Sequence, residues 1–379
     1  MTTPPLTRPT RVEIDLDALC FNLRQVRQRV GPECEILAVV KADAYGHGAR
    51  GVAPALAAAG ADQFGVAMAS EGIDLRRYGI TRPIVVLGGV FPGEEATILE
   101  HQLQPALYDL DVARRLDAAA RAAGTRVPCH LKIDTGMGRL GFRPERLAEV
   151  LTVLQGLPGV EVRGVISHLA LADEPEKPFT ATQVDRFRVL VAQIRDAGFA
   201  PRYLHLANSA AIYSRDLAGC NLVRPGISLY GGLTGTPFEQ AVPQRPVMSF
   251  LSQVAQLKTV PAGEGISYAH RFVTDRPSLL AAVPVGYADG YNRLLTNRGE
   301  VLVRGRRAPV AGTVCMDWIL VDVIDIPAVS VGDRVTLLGR DGDECITAGE
   351  WADKIGTITY EVFCNISKRV PRVFVSNER

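Results

Sequence analysis

Eight short apolar runs, each breaking into polar or glycine-containing residues, constrain this chain more than any other feature. They read EILAVVK (35–41), QFGVAM (63–68), PIVVLGG (83–89), QPALY (104–108), CHLKID (129–134), RGVISHL (163–169), RYLHLAN (202–208) and LVRPGISLYG (222–231). Most of the segments between them carry helical spacing. DVARRLDAAARAAG (111–124) and TATQVDRFRVLVAQIRDAG (180–198) both stop at a glycine, a usual helix terminator. Strands alternating with helices predict parallel βαβ units, and eight of them predict a (β/α)8 TIM barrel. A doubly wound open sheet is the structural alternative. No GxGxxG follows the first run, which weakens its nucleotide-binding form.

The pattern changes after the Gly- and Pro-rich stretch GGLTGTPFEQAVPQRP (231–246). Beyond it, short alternating strands replace long helices, as in SLLAAVPVGY and ILVDVID. The chain therefore divides into an α/β barrel domain, 1–244, and a mainly-β domain, 245–379. The early RVEIDL (11–16) is strand-like, so residues 1–16 can instead pair with the β domain. A formal net charge of +1 argues against nucleic acid or an anionic membrane surface as partner. No run approaches the roughly 18 apolar residues that span a bilayer. The opening MTTPPLTRPT has no apolar core of the kind a secretory signal needs. Seven cysteines, an odd number without a CxxC pair or metal-ligand spacing, indicate a reduced cytoplasmic compartment and no bound metal.

In a TIM barrel the chemistry sits at the C-terminal ends of the strands. Lys41, Lys132 with Asp134, His168, His205 with Asn208 and Ser209, and Arg224 with Gly226 all gather there. Any one alone reads as a solvated strand end. Together they interrupt apolar runs instead of following them, and so mark a candidate catalytic face. Lys41 is the most telling. A lysine emerging from an apolar strand is partly desolvated, which lowers its pKa and frees the neutral amine that Schiff-base chemistry requires. The matching cofactor is pyridoxal phosphate. ANSAA (207–211) and RPGISLYG (224–231) supply a serine and glycine backbone for its phosphate.

Eight motifs, in order and over nearly the whole chain, resemble those of alanine racemases. They are VVKADAYGHG, LKIDTGMGRLGF, HLANSAA, RPGISLYGG, ISYAHRF, PVGYADGYNR, GTVCMD and TYEVFCNISKRVPR. In SYAHRF the residue after the tyrosine is more usually glycine in that family. The resemblance implies a pyridoxal-phosphate-dependent enzyme that interconverts L-alanine and D-alanine, and whose usual product feeds cell-wall peptidoglycan. It also implies a homodimer with active sites shared between subunits. Lys41 would hold the cofactor as a Schiff base, and Tyr45, Ser209, Gly226, Ile227 and Tyr360 would hold its phosphate. Arg224 would face the ring nitrogen with His205 behind it. Tyr268 would be the second base, reaching in from the partner, with His168 near it and counted among the cofactor residues. Arg139 and the Met316 backbone would bind the substrate carboxylate. Lys132 matches a lysine often carbamylated in the family, supporting Arg139; Asn208 and Asp317 would stand behind the contact residues.

Racemisation removes the α-proton from one face and returns one on the other, so two bases on opposite faces serve it simply. On this reading Lys41 takes the proton of the D-isomer and Tyr268 that of the L-isomer. From its residues alone, Tyr268 reads as a surface turn, Asp317 as a turn or interface residue and Cys315 as packing. A decarboxylase would be expected to place an acid where Arg224 stands. A non-catalytic carrier of the cofactor would not need Tyr268 and Met316.

Overall fold

The computed structural model describes residues 8–174, 176–214, 219–233, 237–238 and 242–376. Eight parallel strands follow a short first strand, β1 (Arg11–Asp15). They are β2 (Glu35–Val39), β3 (Gln63–Val66), β4 (Ile84–Val86), β5 (Leu103–Leu107), β6 (Val127–Lys132), β7 (Val160–Ile166), β8 (Tyr203–His205) and β9 (Leu222–Val223). Each pairs with the next in chain order from β2 to β8, and β9 returns to pair with β2 through Glu35↔Leu222 and Ile36↔Val223. A bridge between Asn208 and Arg224 joins the β8 side to β9 and closes the ring. Strands in a closed parallel barrel are covered on both faces, which is why β3, β4 and β5 are buried along their whole length. The outer helices form as the spacing predicts. One of them, Leu110–Ala122, is capped by the Asp109 side chain and buries Leu110, Ala113, Leu116 and Ala120 against the barrel.

The strands are shorter than the apolar runs. β2 ends at Val39, β7 at Ile166 and β9 at Val223, so Lys41, His168 and Gly226 lie in the turns just beyond the rim. Lys132 and His205 are the last residues of β6 and β8.

β1 lies outside the ring. It pairs antiparallel with β10 (Met248–Gln253) and parallel with Arg372–Val375. Residues 1–7 of the expected N-terminal segment lie outside the described residues. Asp15 ends β1 and caps the helix Leu16–Val30, accepting the Ala18 N–H at 2.8 Å. Beyond β10 this sheet continues through Arg334–Asp341, Glu300–Val303 and Arg306–Pro309, with Glu344–Ile346 also on Arg334–Asp341. A separate three-stranded sheet is formed by Gln256–Val260, Ser278–Val283 and Ile319–Asp322. Between the two-residue strands Gly265–Ile266 and Phe272–Val273 a tight turn carries Tyr268. Among the described residues no helix is long and apolar enough to cross a membrane, and no group of three or more His, Cys, Asp or Glu is placed to hold a metal ion.

Candidate active site

The backbone after Lys41 makes one left-handed turn. Ala42, Asp43, Ala44 and Tyr45 have φ of 52, 54, 55 and 53°. Such a conformation costs an L-residue on the order of 1–2 kcal/mol, so the surroundings must hold it. Glu71 Oε1 accepts the Ala42 N–H at 2.6 Å, and Asp43 Oδ1 accepts the Ala49 N–H at 2.7 Å. His47 Nδ1 donates to the carbonyls of Ala44 and Tyr45 at 3.1 and 2.9 Å, and its ring packs on Tyr230 and Phe363. Burial pushes the His47 pKa down to about 3, so it stays a neutral donor and serves the turn. The turn folds Tyr45 back over the cavity that Lys41 lines. A Cβ at Gly226 would come within 2.5 Å of the Tyr45 hydroxyl, so a side chain there would displace Tyr45.

Four cations line this cavity of about 590 Å³: Lys41, Lys132, Arg139 and Arg224. The sole carboxylate among its described lining residues is Asp173. Burial, then Arg139, lowers the Lys41 pKa. Burial, then Arg224, Arg139 and Lys41, pulls Lys132 down to about 8, and its nearest acceptor is the Leu87 carbonyl at 3.5 Å. Arg224 is enclosed and held chiefly by three carbonyls. It donates to His205 at 2.6 Å, Ser167 at 2.7 Å and Leu206 at 3.2 Å. Burial lowers its pKa to about 10, so it remains charged at neutral pH. His168 Nδ1 lies 3.4 Å from Arg224, and burial with that charge brings it to about 3. Asp134 shapes the loop that carries Arg139, accepting the N–H groups of Gly136 and Gly138 at 3.0 Å each.

A cluster of donors sits at the other end of the cavity. Ser209 Oγ accepts the N–H groups of Gly226 at 2.9 Å and Ser228 at 3.3 Å, and Ser228 Oγ donates to it at 3.0 Å. Ile227 begins the short 3-10 helix there, and the Tyr360 ring stands 5.9 Å from Tyr45. Asn208 caps the helix Ser209–Ser214 by accepting the Ala211 N–H at 3.1 Å. Cationic and hydroxyl donors with almost no acidic neighbour require an anion. A desolvated amine at the cavity wall adds the nucleophile for an aldehyde. This donor set fits pyridoxal phosphate.

One cavity thus brings together Lys41, Tyr45, Lys132, Arg139, His168, Asn208, Ser209, Arg224, Gly226, Ile227 and Tyr360. His205 lies behind Arg224, fully buried. Its Nε2 meets His130 Nδ1 at 2.8 Å, and His130 Nε2 meets Gln104 Oε1 at 3.1 Å. Sequence reasoning missed His130 and Gln104. The clue was parity: His130 and Lys132 are two apart on β6 and face the same way. Tyr268, Met316 and Asp317 are not in this cavity. Tyr268 is 71% exposed, and lines a separate hollow of about 490 Å³ with Ser267, Cys315 and Trp318. His168 and Tyr268 therefore line different hollows of one chain. Met316 is exposed beside that hollow, and Asp317 pairs with Arg369 at 2.6 Å.

A closed (β/α)8 ring with a desolvated lysine at its cationic mouth defines a barrel enzyme built on amine chemistry. The chain belongs to the alanine racemase family, whose members are pyridoxal-phosphate-dependent isomerases: the model of the N-terminal domain matches residues 14–234 and that of the C-terminal domain residues 247–374. An alanine racemase of Geobacter sulfurreducens is 51% identical over 374 residues, covering 98% of each chain. The crystal structure of alanine racemase from D-cycloserine-producing Streptomyces lavendulae superposes with a TM-score of 0.93 at 38% identity, over 99% of this chain and 98% of that one. An alanine racemase from Bartonella henselae, with covalently bound pyridoxal phosphate, gives 0.88 at 30% identity, over 97% and 99%.

Proposed function

We propose that this chain interconverts L-alanine and D-alanine with pyridoxal phosphate in the barrel mouth, as a homodimer whose sites are shared between subunits. The observation that carries this reading is Lys41, a half-buried amine lowered in pKa on the wall of a cavity with four cations and one carboxylate. Tyr45, Ser209, Gly226, Ile227 and Tyr360 hold the phosphate, and charged Arg224 faces the ring nitrogen, with His205 fixing it from behind. When bound, the cofactor supplies the electron-withdrawing ring that makes an α-proton removable.

Lys41 works on one face of the α-carbon, giving or taking the proton at Nζ. Tyr268 of the second copy works on the other face at its hydroxyl. Arg139, with the Met316 N–H, orients the substrate carboxylate, and enclosure by both copies excludes water. The Lys132 amine, partly neutral near its pKa of about 8, attacks CO2 to give a carbamate and release a proton. The new anion sits among Arg139, Arg224 and Lys41, cations that outnumber the single carboxylate, Asp173, in the cavity lining. The enzyme works in the cytoplasm and supplies D-alanine for peptidoglycan.

The test is a coupled assay for D-alanine formed from L-alanine, before and after borohydride reduction, followed by peptide mapping of the reduced adduct. We expect turnover that borohydride abolishes and an adduct on Lys41. No D-alanine, or an adduct on Lys132 instead, would overturn the reading.

A further inference from the structure

We propose that the turn Gly286–Gly290, fixed by Asp289, is a positioning element that aims the Met316 N–H at the substrate carboxylate. This deepens the proposed function and rests on its reading that the Met316 amide binds that group. The Tyr287 N–H donates to the Cys315 carbonyl at 3.0 Å, and the Ala288 N–H to the Met316 carbonyl at 3.1 Å. A trans peptide holds its C=O and N–H on opposite sides, and no peptide bond among the described residues is cis. Pinning the Cys315 carbonyl toward the turn therefore points the Met316 N–H away from it. Pinning the Met316 carbonyl does the same for the Asp317 N–H. Neither N–H has a partner among the described residues. Two adjacent unpaired N–H groups facing one way, on an exposed part of the chain, form an anion-accepting pair.

Asp289 sets the shape of the turn. Its side chain is fully enclosed and accepts the Gly286 N–H at 3.0 Å. Arg8 grips it with two contacts of 2.6 and 2.7 Å and also reaches the Pro284 carbonyl at 2.6 Å. Arg369 meets it at 2.8 Å and Asp317, the neighbour of Met316, at 2.6 Å. A buried carboxylate shared by two arginines keeps one geometry, because losing a partner strands a charge. Arg8 and Arg369, far apart in sequence, thus converge on Asp289, whose turn bonds the carbonyls of Cys315 and Met316. Gly286 has extended backbone that any residue adopts, yet a Cβ there would land on the carbonyl oxygens of both Cys315 and Met316.

Two variants test this in the cofactor-loaded enzyme. Asp289→Asn keeps the shape and removes the charge, and Gly286→Ala displaces the peptide directly. An amide that holds the carboxylate equally in ground and transition states affects KM and spares kcat. We expect KM for alanine, and the inhibition constant of propionate, to rise together by about tenfold with kcat within about twofold. Cofactor absorbance and oligomeric size should be unchanged. If Asp289→Asn does not fold, Gly286→Ala carries the test alone. Unchanged KM and propionate inhibition, even with a lower Tm, would overturn the proposal, as would a fall in kcat alone. The underlying reading is checked separately by replacing the Met316 amide with an ester. Wild-type propionate inhibition in that chain would sink the reading itself.

Discussion

In the barrel mouth Arg224 is 4% exposed and Lys132 7%, whereas Tyr268 is 71% exposed and Met316 52% on the β face. The mouth tunes its groups by desolvation within one chain: Lys41, Lys132 and Arg224 are all pulled down in pKa by burial first. The β face fixes backbone geometry and leaves its side chains open. Its environment has to come from whatever covers it, and the proposed second copy is that cover.

The sharpest way to break this contrast is complementation. Lys41→Ala and Tyr268→Phe should each lower racemisation by at least about a thousandfold. Mixed and reassociated in equal amounts, half the dimers pair one of each, with one of two sites intact. About a quarter of wild-type activity should return. No recovery in an exchanging mixture would place both residues in sites made by one chain.

A smaller effect tests desolvation at Lys132. Its folded pKa of about 8 lies below the ordinary 10.5. Between those values the unfolded chain binds more protons, so stability should rise with pH across that window, while the full penalty is present below it. In cofactor-free protein and CO2-free buffer, the Tm of wild type minus that of Lys132→Met should climb by about 3 °C from pH 8 to 10.5. A flat difference would mean Lys132 is solvated. The smallest effect concerns Tyr360, 41% exposed at the cavity edge. Losing one hydrogen bond there in Tyr360→Phe should weaken cofactor binding about fivefold by absorbance titration. An unchanged affinity would remove Tyr360 from the phosphate set.

The ring was legible because each strand has an apolar run that ends abruptly, and both helices singled out stop near the glycines that marked them. The left-handed turn was not. Ala42–Tyr45 contains no glycine, and beside the local bonds of Asp43 and His47 it depends on Glu71 and on the space left at Gly226, far away in sequence. The His130–Gln104 pair was hidden for a related reason, since polar residues inside a barrel look like interruptions until closure gives them partners. Motif resemblance named Tyr268 and Met316, but from the residues alone Tyr268 reads as a surface turn and the neighbours of Met316 as packing, turn or interface residues. The Tyr287–Cys315 contact joins two of those motifs through backbone atoms, which side-chain patterns do not report.

The seam of the barrel has a consequence for its mechanical integrity. β9 has two residues, and on its β8 side the ring is shut by the Arg224 N–H bonded to the Ala207 carbonyl at 3.0 Å, the Asn221 N–H bonded to the Leu204 carbonyl at 3.2 Å, and side-chain bonds from Asn221. The same segment carries Arg224 and Gly226. Partial unzipping there would dismantle the proposed ring-nitrogen and phosphate contacts together, before the remaining strands parted. A ligand spanning the seam from Tyr45 to Ser209 would act as a rivet across the barrel's shortest stave, stabilising the fold by an amount that grows with the logarithm of ligand concentration above Kd.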